Sequence, residues 1–186
     1  MSSFTLQSIS GIYRAQPQPS NFAFGVRHSG GFWFRGSLPD VTATLEGDGD
    51  SLVLEGSARV DSISVGEPAS LRAHLLGPEF LHAERHPEIT FRSTAVHLDG
   101  EQRAEVQGEL AMRGVSRPVR AFGQYAGPQM AGFGEAVGFE LHTSVDRREF
   151  GIDWQMELPG GADVLGWEVE LDIDLLLIRE LTDQEA

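Results

Sequence analysis

Three histidines crowd into thirteen positions of the stretch RAHLLGPEFLHAERHPEITF, residues 72 to 91: His74, His82 and His86. Imidazoles at this density could hold zinc, and His82 and His86 stand four apart, as two ligands on one helical turn would. The residues between them argue against it. In HAERH the acid is Glu84, two places after the first histidine. A metalloprotease helix places its glutamate directly after the first histidine, and the inverted pattern places it directly before the second. Pro87 also steers His86 away from helical backbone. No metal site is expected, and these histidines read as surface or strand-entry residues.

Other catalytic signatures fail similarly. Ser116 in RGVSRPV has Gly114 before it, but Pro118 where a nucleophile elbow needs its second glycine, so it reads as a turn serine. GDGDSL from residue 47 and GFGEAV from residue 132 each miss the last glycine of a dinucleotide fingerprint. Asp146, Arg147 and Arg148 could form an acid-base cluster, yet a charge run between strands is normally solvated or paired, and that is the reading taken. The chain has no cysteine, which removes disulfides, thiolate metal sites and thiol nucleophiles. All 14 basic residues are arginine, so lysine Schiff bases and the lysine of a phosphate loop are absent too.

The 186 residues carry 28 acids and a formal charge of −14, which repels nucleic acid and anionic membranes. No apolar run approaches the ~20 residues of a membrane span. The N-terminus lacks a basic start followed by an apolar stretch, so a cytoplasmic location is expected.

These side chains must be positioned by strands. In NFAFGVRH, Phe22, Phe24, Val26 and His28 share one face and Ala23, Gly25 and Arg27 the other. The same alternation recurs in VTATLEG, SLVLEGSARV, EITFRSTAVHL, EVQGELAM, VGFELHTSV and WEVELDIDL, with hairpin-like turn signals at GDGD, LDGE and RGVSRP. The fold class is all-β: an antiparallel barrel of about eight strands in a single domain spanning 1–186. Its core covers about 11–178, and a short polar tail follows at 179–186. EPASLRAHL, residues 67 to 75, predicts a short helix with Pro68 in its first turn and Leu71 and Leu75 on one face. One or two such helices are expected in the excursion 66–88, which is long enough to be a lid or binding loop. A barrel of this size holds either its own side chains or one small ligand, and alternation alone does not separate a ligand wall from plain core.

Read together, FGVRH, LRAHLLGPEFLHAERHPEITF, GELAMRGVSRPV, GFELHTSVDRREFGIDW and LGWEVELDIDL occur in an order that closely resembles the YceI-like family, over about residues 11 to 178. The resemblance implies an extended lipocalin-like barrel, open at one end, holding a long apolar lipid such as a polyisoprenoid or isoprenoid quinone. It implies no catalytic residues and no cofactor beyond the bound isoprenoid or fatty-acid-like lipid. It also makes the histidine-rich stretch a lip over the barrel, shaped here by Arg72, His74, Phe80, Pro87 and Phe91. The chain departs from the family at Ala73, where an aspartate is usual, and at Gln16 and Pro19, where an aspartate and a histidine are usual; Ser20 is kept. The expected wall is Phe22, Phe24, Val26, Phe32, Phe34, Phe91 and Phe139, with Trp154 near one end and Arg72 and His74 as polar groups at the mouth. The competing expectations are an enzyme acting on the bound lipid, for which His28 is the titratable candidate, and an interaction module with a filled barrel. The sequence does not specify an oligomeric state; a two-fold dimer is the commonest assembly on general grounds.

Overall fold

The alternation in NFAFGVRH becomes strand β2 (Asn21–His28), one of ten that form a single antiparallel sheet in the computed structural model, which describes residues 8–66 and 68–181. The others are β1 (Ser10–Ala15), β3 (Phe32–Leu38), β4 (Val41–Asp48), β5 (Leu52–Arg59), β6 (Glu88–Leu98), β7 (Arg103–Met112), β8 (Val115–Ala131), β9 (Gly134–Asp146) and β10 (Leu165–Arg179). One α-helix, α1 (Ala69–Leu76), lies between β5 and β6, within a residue or two of its predicted place. Among the described residues no helix is long and apolar enough to cross a membrane. Glu67 and residues 182–186, parts of the predicted helix and tail, lie outside the described residues; Arg179 still belongs to β10.

The sheet closes because β10 carries two partners on one edge. Its first part, Leu165 to Asp174, pairs with β2, and its end, Leu177 to Arg179, pairs with β1. Strands β1 and β2 are therefore lower and upper parts of one broken stave. Pro17 and Pro19 lie in the break, where their missing N–H groups remove ladder bonds. Gln16 N–H donates to the Leu176 carbonyl at 2.8 Å, and the buried Ser20 hydroxyl accepts from Leu176 N–H at 3.3 Å, stitching the break to β10. A second stave is broken at Pro39 and Asp40, with β4 beside β1 and β3 beside β2. The ring β1, β4 through β10 and back to β1 is a closed eight-stranded barrel, and the β2–β3 hairpin extends its upper end.

The RGVSRP segment corrects one expectation. Only Arg113 and Gly114 turn, both with positive φ, as a two-residue hairpin requires. Ser116 and Pro118 already lie on β8, so Ser116 is an exposed strand residue.

The lower half of the barrel is filled. Tyr13, Leu45, Val106, Val137, Phe139 and Leu177 are almost completely buried there. Burial pushes the Tyr13 phenol well above its ordinary pKa, assisted by the Glu135 carboxylate to which it donates at 2.5 Å. Phe139 points inward as its alternation predicted, but its ring packs 6.4 Å from Tyr125 within this core and is no part of the upper wall.

Candidate functional site

The upper half is hollow. A cavity of about 340 Å³ lies beneath the excursion between β5 and β6, at the small end of the roughly 300–1,000 Å³ typical of ligand pockets. Strand β2 supplies Phe22, Phe24, Val26 and His28 to its wall, and β3 supplies Phe34 and Leu38. The Phe24 ring stands 6.1 Å from Phe34 and fits because Gly36 faces it: a Cβ there would sit 2.5 Å from the ring. Helix α1 contributes Leu71, His74 and Leu75, and the loop after it Phe80 and Leu81. A smaller apolar cavity of about 90 Å³ lies deeper, lined in part by Phe91. Phe22, Ile89, Leu110 and Leu171 line both.

The roof is an aromatic cluster. His74 meets Phe80 edge-on at 4.9 Å and Trp154 edge-on at 5.3 Å, while Phe80 and Trp154 are 5.4 Å apart. On its outer side the His74 Nε2 hydrogen-bonds Glu79 at 2.9 Å.

Phe22, Phe24, Val26, Phe34, His74 and Trp154 are thus brought together around one space. Besides Phe139, two expectations for this wall and mouth fail. Phe32 has the right alternation but sits opposite His28 at the hairpin tip, 71% exposed and above the wall. Arg72 turns away from the cavity and donates to the Ile63 carbonyl at 3.3 Å and to that of Asp61, tying α1 to the segment before it. The rings of His82 and His86 lie 5.8 Å apart, but among the described residues no three His, Asp or Glu side chains cluster as metal ligands would.

Arg147 is the residue that the sequence reading misplaced. Its neighbours, half-buried Asp146 and exposed Arg148, form the ion pair expected of a charge run, but Arg147 itself is 3% exposed and lines the cavity. Its guanidinium donates to the carbonyls of Gly166 (2.8 Å), Ile152 (2.8 Å), Trp154 (2.9 Å) and Leu165 (3.3 Å) and stacks on Trp167 at 4.2 Å. Burial lowers its pKa; the positive charge of Arg148 acts in the same sense, and Asp146, Asp153 and Asp163 oppose it. It stays a cation, as arginine does in proteins. Arg147 and Phe150 bracket a single turn, and both are buried in the fold.

With a closed barrel and an apolar chamber at one end established, comparison with known proteins places the chain. The model of the YceI-like domain matches residues 13–177. The chain belongs to the YceI-like family. Among this YceI-like protein's relatives, a UPF0312 protein of Pectobacterium atrosepticum is 28% identical over 150 residues, covering 76% of this chain and 74% of its own. The YceI protein of Escherichia coli O157:H7 is 28% identical over 135 residues, 69% of each chain. Among solved structures, Burkholderia cenocepacia BcnA superposes with a TM-score of 0.71 at 17% identity, covering 87% of this chain and 98% of its own. A polyisoprenoid binding domain from Saccharophagus degradans superposes at 0.65 and 10% identity, covering 90% and 98%. At these identities the structural likenesses establish a shared barrel.

Proposed function

We propose that this YceI-like protein binds, stores or carries one long apolar lipid of isoprenoid or fatty-acyl type in the upper cavity, without transforming it. The observation that carries the reading is the hollow, apolar upper half set above a filled lower half. Each buried methylene gains about 0.8 kcal/mol, so a chain of a dozen or more carbons offsets the cost of association. The family membership and the polyisoprenoid-binding description of one protein sharing the fold support the lipid class. The cavity alone suits a short chain. A longer polyisoprenoid would have to pass the collar of Phe22, Ile89, Leu110 and Leu171 into the deeper space.

A binding role is also favoured by what lines the chamber. An enzyme acting on the lipid would want an acid-base pair there, and no Asp or Glu is among the lining residues. His28 sits at the rim, with its Nδ1 3.2 Å from the Ser29 hydroxyl.

Native mass spectrometry of the purified protein tests the proposal. The expected result is one lipid adduct per chain that organic extraction removes and re-addition restores. A chain that carries no adduct and takes up none of a panel of isoprenoid and acyl lipids would contradict it.

A further inference from the structure

The chain has twice as many acids as arginines, 28 against 14, yet the titratable side chains lining the upper cavity are Arg147, His28 and His74, with no acid among them. Arg147 is the cation among these whose charge does not depend on pH in the ordinary range. Four of its five N–H groups are directed to the carbonyls of Ile152, Trp154, Leu165 and Gly166. These carbonyls solvate the guanidinium but cannot neutralise it. Among the described residues no carboxylate lies within ion-pair distance of Arg147, since Asp146 is engaged by Arg148 and Asp153 and Asp163 act only at longer range. The buried charge therefore has no contact counter-ion, only the longer-range pull of Asp146, Asp153 and Asp163, and one N–H on its Nη2 is left over on a side chain that lines the cavity.

We propose that the cavity selects an apolar chain ending in a carboxylate, whose head group is received by the remaining Nη2–H of Arg147. This rests on the lipid-binding reading and narrows it. A carboxylate at this end supplies both the missing acceptor and the missing negative charge, and the surrounding apolar wall strengthens the contact by excluding water. A neutral ester or alcohol supplies an acceptor but no counter-charge in contact with the cation.

The inference is tested on the unaltered protein by changing the ligand. Hexadecanoic acid, its methyl ester and hexadecanol, which share one chain, each compete against the neutral fluorescent dye N-phenylnaphthylamine at pH 8. The acid should bind at least about tenfold more tightly than either neutral partner, the scale of one charge-assisted hydrogen bond. Equal or tighter binding of the ester would overturn the carboxylate assignment and leave the lipid reading standing. Failure of all three to displace the dye would overturn both. In Arg147→Gln protein verified as folded by circular dichroism, the ratio of acid to ester affinity should fall towards one, and an undiminished ratio would overturn the assignment of the head group to Arg147.

Discussion

At the residue scale, two side chains decide what the chamber can do. Phe24 is a wall residue whose ring occupies space left by Gly36. Replacing it by arginine puts a cation where an apolar chain would lie, which is costly unless water reaches it. An open chamber can hydrate the new charge. Phe24→Arg is therefore expected to fold with a modest fall in Tm while lipid recovered by extraction drops sharply; a folded variant carrying lipid at the wild-type level would contradict the assigned wall. Arg147 works in the opposite way, because four carbonyls converge on it. Arg147→Met leaves those acceptors without their donor, at a cost of about 3 kcal/mol or more, and lowers Tm by roughly 6–12 °C for a domain of this size. Calorimetry showing a loss below about 1 kcal/mol would mean that the guanidinium is not structural. The difference between the two was only half legible in sequence. Phe24 announces itself by alternation, whereas the burial of Arg147 depends on carbonyls from residues 152 to 166 that only the tertiary fold gathers.

At the level of elements, β2 could be read from its period, while β8 was hidden by Pro118, Gly127 and Pro128, which interrupt its alternation and mimic turn signals. Alternation also fixes which way a side chain points without fixing its height along the barrel. Phe32, Phe34 and Phe139 all follow the correct period, and the structure sends them to the rim, the chamber and the filled core respectively. The lower hairpins make their own prediction. Asp48 accepts from Ser51 N–H at 2.7 Å and Asp50 N–H at 3.0 Å in the β4–β5 turn. Asp99 accepts from Arg103 Nε at 2.7 Å and from the backbone of Arg103 and Glu101 in the β6–β7 turn. These bonds hold both carboxyls below the usual aspartate pKa: for Asp48 the Ser51 backbone contributes most, for Asp99 the Arg103 side chain. A depressed folded-state pKa contributes stability that is present above the unfolded value of about 3.9 and is lost as pH falls through the folded one. The wild type should thus lose stability below about pH 4. The gap between it and an Asp48→Asn, Asp99→Asn double variant, measured by urea denaturation, should narrow from pH 6 to pH 2; a constant gap would show that these carboxylates are not the source.

Across the whole molecule, the interior that alternation left undecided between plain core and open space is packed at one height and hollow at another. Tyr13, Phe139 and their neighbours close the lower half, while the two broken staves carry β2 and β3 upward around a hollow. The barrel class and much of the wall were legible because β-sheet burial has a period of two. The breaks at residues 16–20 and 39–40 were not, because they become visible only when β10 is seen to serve β1 and β2 together. The central claim is that the acyl or isoprenoid chain enters the upper chamber beside Trp154. A bromine-labelled fatty acid, titrated while tryptophan fluorescence is followed, tests this through the heavy atom's short-range quenching of Trp33, Trp154 and Trp167. The expected result is saturable quenching at one lipid per chain, with most of the quenched intensity absent from a Trp154→Phe variant that still binds the lipid. Quenching that never saturates, or that is the same in wild type and variant, would contradict a chain lodged in this cavity.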